Sequence, residues 1–159
     1  MRKLYGFALI TILFDQLIKN GLLFFMSFGQ SITVIPNFFS ITLIGNTGAA
    51  FSILSSNTLL LIVISVVVLN LIYFFLIKGK KLNDFEQVSY GLLLGGITGN
   101  LIDRVVHGQV IDYLDFNILG YDFPVFNLAD IAIVVSMILI IILVIKGDKN
   151  GVSSKGKWY

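Results

Sequence analysis

Two aspartates, Asp112 and Asp130, are the residues of this chain best suited to chemistry. They lie in Gly95–Asp130, a stretch that also holds the only histidine and five of the nine acidic residues. Long apolar runs surround this stretch. An ionisable side chain at membrane depth costs about 2.5–3.5 kcal/mol on insertion scales. Charge retained in such surroundings therefore indicates a functional site.

Neither Asp112 nor Asp130 has a basic residue beside it in the sequence. Two carboxyl groups brought close together cannot both ionise cheaply, so one keeps its proton at neutral pH. The ionised member can then deprotonate water, and its neighbour can protonate or hydrogen-bond a carbonyl group, as in aspartic proteases. The alternative is a pair of solvated aspartates at the membrane surface. The spacing alone leaves both interpretations open.

The composition is that of a membrane protein. Of the 159 residues, 57% are hydrophobic and 13% are charged, whereas soluble domains have about 25% charged residues. The net charge of +2 is too small to indicate nucleic-acid binding. Without cysteine, disulfides and thiolate chemistry are excluded, and a single histidine excludes a multi-histidine metal site. An all-carboxylate metal site has no supporting pattern, so we expect no metal and no cofactor.

Four apolar runs are long enough for helices that cross a bilayer, which takes about 20 residues. We predict an all-α membrane fold with one domain, 1–159, and four transmembrane helices, with a β-rich outward segment, 27–56, between the first two. The predicted spans are 4–26, 57–77, 85–105 and 126–145. The first run resembles a signal peptide, but Asp15 and Lys19 interrupt it and no small-x-small site follows. We expect it to be retained.

Two short β-rich pieces, Ser31–Pro36 and Phe38–Ile44, predict strands around a turn. Lysines and arginines lie at the amino terminus, between the second and third runs, and after the fourth, while the other two connections have none. By the positive-inside rule, both termini are cytoplasmic. The segments 27–56 and 106–125 then face outward, the second as a loop.

Other polar residues fall within the predicted spans. Asn100, Asp103 and Arg104 share one face of the third helix, and Asp15 and Lys19 are one helical turn apart. These charged residues can be explained in two ways that the sequence supports equally. They could form local ion pairs, Asp15 with Lys19 and Asp103 with Arg104, or they could have a functional role.

Alternative sites have weaker support. Gly95, Gly96 and Gly99 are expected to be helix-packing positions, because no strand precedes them and no lysine follows, as a phosphate loop requires. Serine–lysine catalysis would need a serine beside Lys19, and none is evident. We expect His107 to be an interfacial polar residue. Asp115 and Asp122 are expected to be solvated.

Four motif blocks lie along the chain. They are Asp15-Gln-Leu-Ile-Lys19, Asn46-Thr-Gly-Ala-Ala-Phe51, Gly99-Asn-Leu-Ile-Asp-Arg104 running on to Val110-Ile-Asp112-Tyr113, and Phe126-Asn-Leu-Ala-Asp130. These blocks resemble those of the bacterial lipoprotein signal peptidases (signal peptidase II). The resemblance covers nearly the whole chain, and the blocks occur in the family's order.

The resemblance implies that Asp112 and Asp130 are the catalytic dyad of an intramembrane aspartic endopeptidase. Asp112, rather than Asp103 or Asp115, matches the family's Val-(Val/Ile)-Asp-(Phe/Tyr) position. Tyr113 stands where phenylalanine is usual. The residues implied to bind substrate or support the pocket are Asp15, Lys19, Asn46, Gly48, Asn100, Arg104 and Asn127.

The resemblance also implies a reaction and a location. The family removes signal peptides from prolipoproteins, cutting before the diacylglyceryl-modified cysteine, at the outer face of the bacterial inner membrane. The expected partners are these substrates and membrane lipids, with cyclic peptides of the globomycin type as inhibitors and a monomer as the working unit. Two rival functions are a proton-coupled transporter and a non-catalytic scaffold. The inner halves of spans two and four have no ionisable residue, which disfavours the transporter.

Overall fold

The computed structural model describes residues 1–48 and 57–154, with side chains described up to 145. It contains four long helices, which occupy all four predicted spans. They are α1 (Arg2–Phe25), α2 (Thr58–Leu71), α3 (Asp84–His107) and α4 (Leu128–Ser154). A π-helical turn, Ile72–Ile77, continues α2. Helix α4 runs nine residues past the predicted end at 145.

Helix α3 lies at the centre of the bundle and packs against α1, α2 and α4. Its buried positions are small or polar rather than large and apolar, because they face other helices instead of lipid. Among the described residues, three helices are long and apolar enough to cross a membrane, namely α1, α2 with its π-helical turn, and α4. Three of the four predicted spans are therefore confirmed by length and composition. The fourth stays a prediction.

Glycines let α3 approach its neighbours closely. A Cβ atom added at Gly95 would lie 2.6 Å from the Cβ of Thr11, and one at Gly96 would lie 2.5 Å from the carbonyl oxygen of Ala129. Gly99 meets α1 at a similarly short distance. The helix-packing role predicted for these three glycines is confirmed.

A four-stranded antiparallel sheet lies at one end of the bundle, in the order β1-β2-β3-β4. Its strands are β1 (Ser31–Ile35), β2 (Phe39–Asn46), β3 (Val110–Ile118) and β4 (Tyr121–Asp122). The predicted turn joins β1 to β2, and Asn37 there adopts a φ of 58°, which asparagine tolerates. The two predicted strands are confirmed. Part of the β-rich segment, 49–56, lies outside the described residues.

The sheet is larger than predicted. Strand β3 pairs with β2 and carries β4 on its other side. The prediction of a loop over 106–125 was wrong, because this segment contains β3 and β4. Gly108 ends α3 with a φ of 72°, a conformation that glycine adopts without steric cost. The chain thereby turns from α3 into β3, which pairs with the edge of β2 that β1 does not occupy.

Two apolar clusters hold the ends of the bundle. At the sheet end, Met26 of α1 packs with Leu43, Ile111 and Tyr113 of the sheet. At the other end, Leu4 packs with residues of the π-helical turn. Along α1 the buried residues between these clusters are polar: Thr11, Asp15 and Lys19. The fold therefore encloses a polar middle.

Candidate active site

Strand β3 carries Asp112, and the first turn of α4 carries Asp130. The residue before the α4 cap, Phe126, forms a β-bridge with Leu114. Its carbonyl oxygen accepts the backbone N–H groups of Tyr113 and Leu114, at 3.0 and 2.8 Å. This pairing brings the strand and the start of the helix together, with Asn127 between the two aspartates.

Asn127 contacts both aspartates. Its side-chain oxygen accepts the backbone N–H of Asp130 at 3.0 Å, and the Oδ2 atom of Asp130 accepts the backbone N–H of Asn127 at 3.2 Å. This reciprocal pair caps the helix, as in a capping box. Because its oxygen is used there, Asn127 presents its Nδ2 atom to Asp112 and donates to Oδ1 at 2.6 Å.

Each aspartate has a second amide donor. The Nδ2 atom of Asn46 donates to Oδ2 of Asp112 at 3.0 Å, and the Nδ2 atom of Asn100 donates to Oδ1 of Asp130 at 2.8 Å. The Asn46 oxygen accepts the backbone N–H of Gly48, which sets the orientation of that amide. All four carboxyl oxygens of the pair therefore accept a hydrogen bond.

Asp112 is only 3% exposed. Burial first, and the negative charge of Asp130 as well, raise the pKa of its carboxyl group from 3.8 to about 6, although the hydrogen bonds from Asn46 and Asn127 lower it. Desolvation has this effect because it disfavours the charged form. Asp112 thus exchanges its proton near physiological pH.

Both aspartates open onto one cavity of about 620 Å³. The polar part of its wall consists of Asn46, Thr47, Asn100, Arg104, Asp112 and Asp130. The segment Phe123–Phe126 and the α4 residues Ile133 and Val134 form much of the apolar part. The cavity can therefore hold a polar group beside the carboxyl pair and an apolar group a short distance away.

Arg104 places a positive charge in this wall. Its guanidinium group donates to the carbonyl oxygens of Gly48 at 3.1 Å and Asn100 at 3.3 Å. The predicted local pairing of Asp103 with Arg104 was wrong, since Asp103 pairs with Lys19 of α1 at 2.7 Å. The cause is the direction of the side chains around α3, because Asp103 faces α1 while Arg104 faces the cavity.

The predicted site residues separate into two groups. Asn46, Asn100, Arg104, Asp112 and Asp130 line the cavity, whereas Asp15, Lys19, Gly48 and Asn127 do not. The predicted pairing of Asp15 with Lys19 is confirmed at 2.8 Å.

Sequence reasoning missed Gln16 and the apolar wall. The side chain of Gln16 donates to Asp103 at 2.8 Å and to the carbonyl oxygen of Gly99 at 3.2 Å. The sequence did contain a signal for Gln16, because a polar amide side chain next to Asp15 is unusual within an apolar run.

The other acids of Gly95–Asp130 lie away from the cavity wall. Asp103 is buried against α1, and Asp115 accepts a hydrogen bond from the hydroxyl of Thr42 at 2.6 Å.

The hydroxyl of Tyr113 accepts the backbone N–H of Leu128 at 3.2 Å. The tyrosine that stands in place of phenylalanine therefore adds a further tie between β3 and α4.

The fold of this chain is similar to that of solved bacterial membrane enzymes. One similar structure, described as a bacterial membrane enzyme solved by the in meso method at 2.3 Å resolution, superposes with a TM-score of 0.87 at 40% identity, over 100% of this chain and 95% of that one. A second, of the same description at 1.9 Å resolution, gives 0.82 at 41% identity, over 92% and 94% of the two chains.

The sequence comparisons give the family. The model of the family described as Signal peptidase (SPase) II matches residues 7–146. A lipoprotein signal peptidase of Staphylococcus aureus (strain MRSA252) is 43% identical over 143 residues, which are 90% of this chain and 88% of that protein. The counterpart from strain JH9 is 42% identical over the same length. The chain belongs to the signal peptidase II family of membrane peptidases.

Proposed function

We propose that this protein is an aspartic endopeptidase that removes the signal peptide from prolipoproteins, cutting before the diacylglyceryl-modified cysteine. The observation that carries this proposal is the convergence of Asp112 and Asp130 on one cavity, with Asn127 hydrogen-bonded to both. Membership of the signal peptidase II family supports the reaction.

In the proposed mechanism the pair holds one proton. The ionised Asp130 takes a proton from water as the water oxygen attacks the scissile carbonyl carbon, and protonated Asp112 donates to the carbonyl oxygen. The tetrahedral intermediate then collapses. Its C–N bond breaks as the leaving amine takes a proton from Asp130, and the intermediate's hydroxyl proton returns to Asp112. The raised pKa of Asp112 suits a group that must be protonated to act.

The cavity suits a substrate that is part peptide and part lipid. Arg104 and the site amides, Asn46 and Asn100, face the carboxyl pair and can bind peptide carbonyl groups. The apolar wall accepts hydrocarbon, so a lipid-modified chain can enter laterally from the bilayer. Cyclic peptides of the globomycin type would then compete for the same space.

The proposed topology has four spans, cytoplasmic termini, and one domain, 1–159, acting as a monomer in the bacterial inner membrane. Lys3 of α1 pairs with Asp84 at the start of α3, so the basic amino terminus lies at the end opposite the sheet. The 24 residues of α3 span ~36 Å at 1.5 Å per residue. This length exceeds the hydrocarbon core of about 30 Å.

The test is cleavage of a diacylglyceryl-modified prolipoprotein by the purified protein in lipid. Asp112→Asn and Asp130→Asn should each lower the cleavage rate by at least about 10⁴-fold. The expected loss is this large because the two carboxyl groups act as one catalytic unit, so removing either disables both. Asp122→Asn, in β4, is the matched control and should cleave normally. The unmodified prolipoprotein should not be cut.

Two results would reject the proposal. One is cleavage at the normal rate by either variant of the pair. The other is proton flux through the wild-type protein in liposomes with no cleavage of the prolipoprotein, which would favour the transporter.

A further inference from the structure

Three charged side chains lie behind the cavity, and the mechanism above does not use them. We call Asp15, Lys19 and Asp103 the buried triad. The Nζ atom of Lys19 lies 2.8 Å from Asp15 and 2.7 Å from Asp103, and each residue is at most 1% exposed. None of the three lines the cavity. Burying three charged side chains is costly, and apolar side chains of similar size often give a protein equal stability. Stability alone therefore does not explain the buried triad.

The two carboxylates of the buried triad bind the backbone beside the two site aspartates. Asp15 accepts the N–H of Ala129 at 3.1 Å, and Ala129 directly precedes Asp130. Asp103 accepts the N–H of Ile111 at 3.1 Å. Ile111 directly precedes Asp112, so one triad carboxylate holds the chain just before each site aspartate. Lys19 joins these two attachments, one on α4 and one on β3.

Lys19 also sets the orientation of an amide. Its third contact is with the Oδ1 atom of Asn100, at 3.0 Å. An ammonium group only donates hydrogen bonds, so the oxygen of Asn100 must face Lys19 and its Nδ2 atom must face Asp130. Asp130 thereby meets a donor in the direction that favours its ionised form.

We propose that the buried triad positions the catalytic pair, and that Lys19, through the Asn100 oxygen, keeps the Asn100 amide donor directed at Asp130. This inference rests on the proposed function. Lys19 is a positioning residue, because it does not line the cavity. The charged groups that act on Asp130 are Lys19 from α1, Arg104 from α3 and Asp112 from β3. Asp15 and Asp103 pair with Lys19.

The first experiment is a double-mutant cycle on cleavage in lipid. The combined variant Asp15→Asn, Lys19→Met, Asp103→Asn removes all three charges but keeps an oxygen to accept each backbone N–H. We call this combined variant the neutral triad. It is compared with Asn100→Leu and with a protein that carries the neutral triad and Asn100→Leu together. We expect the neutral triad to lower kcat about 100-fold, as misplacement of a catalytic group does, with KM changed by less than about twofold.

The cycle separates positioning from general stabilisation. Because Lys19 acts through Asn100, Asn100→Leu should lower kcat by a smaller factor in the neutral triad than in the wild type, a non-additive result. Lys3→Met removes a surface ion pair at the far end of α1 and is the control, with wild-type kcat expected. Wild-type kcat in the neutral triad, or multiplied effects in the combination, would overturn the proposal.

A second measurement does not depend on activity. Amide hydrogen exchange should speed up at Ala129 in Asp15→Ala and at Ile111 in Asp103→Ala, each without a change at the other amide. Unchanged exchange in both would overturn the anchoring by the triad. If wild-type protein cuts no prolipoprotein but these changes appear, the proposed function fails and the anchoring stands.

Discussion

The carboxyl group of Asp112 accepts hydrogen bonds from two neutral amides, those of Asn46 and Asn127. Neutral donors oppose the effect of burial only in part, which is why the pKa of Asp112 is raised to about 6. The charge of Asp130 contributes to that increase. Asp130, by contrast, lies near the positive charges of Lys19 and Arg104, which favour its ionised form.

This difference predicts the pH dependence of cleavage. As pH rises above about 6, the pair loses its one proton from Asp112, and kcat/KM should fall by up to about tenfold per pH unit. Asn46→Leu removes a hydrogen bond that lowers the pKa of Asp112, so the falling limb should move to higher pH. The measurement is kcat/KM in lipid from pH 5 to pH 9, about two units on either side of neutrality. A rate that instead increases through pH 6 would assign the proton to the other aspartate.

Among the helices, α3 determines how the site is assembled. It contacts every other helix and contributes Asn100 and Arg104 to the cavity wall. Its glycines allow α1 and α4 to approach within the distance that the polar contacts need. A change in the separation of α3 and α4 therefore changes the position of Asp130.

Gly96→Ala tests this dependence. The added Cβ atom would lie 2.5 Å from the backbone oxygen of Ala129, so α4 must move. We expect a loss of about 1–3 kcal/mol in the free energy of unfolding, the usual cost of overpacking, together with reduced cleavage. Thermal unfolding in detergent, followed by circular dichroism, measures the first effect.

Gly21→Ala, on α1, is the matched control. Nothing lies within 4 Å of the Cβ atom added there, and alanine is the better helix former by about 1 kcal/mol. Its stability should be equal to that of the wild type or higher. A Gly96→Ala protein that is as stable and active as Gly21→Ala would contradict the close-packing argument.

The molecule as a whole has two different ends. The amino terminus of α1 and the connection between α2 and α3 carry basic residues, while the sheet and cavity lie at the other end. Such an asymmetry orients a membrane protein with its basic end in the cytoplasm. In the topology proposed above, the cavity therefore faces the outer surface.

Labelling of single cysteines tests this topology, because the chain has no cysteine of its own. With a membrane-impermeant maleimide on intact cells, we expect Ser27→Cys and Leu119→Cys to react and Lys80→Cys to react only after permeabilisation. Ser27 precedes the sheet, and Leu119 is fully exposed between β3 and β4. If α3 did not cross the bilayer, Leu119→Cys would instead behave like Lys80→Cys.

Much of the architecture was predictable because lipid imposes strict requirements on sequence. The helices on the lipid-facing side must be long and apolar, so their positions follow from composition. The β1–β2 turn was signalled by Pro36-Asn37 between β-branched runs. Strand β3 also had a signal, the alternation of apolar and polar residues from Leu114 to Ile118. It was missed because its edge partner, β2, is distant in the chain.

The partners of the buried charges were not predictable in the same way. Residue spacing shows that Asp103 and Arg104 are neighbours on α3, but not which helix each one faces. That depends on where α1 and α4 pack against the glycines of α3. Sequence alone therefore supplied the helices, the turn and the acids that carry chemistry, since these depend on local composition and spacing. The pairing of Lys19 with Asp103, and the meeting of Asp112 with Asp130 through Asn127, required the packed bundle, because such contacts join segments remote in the chain.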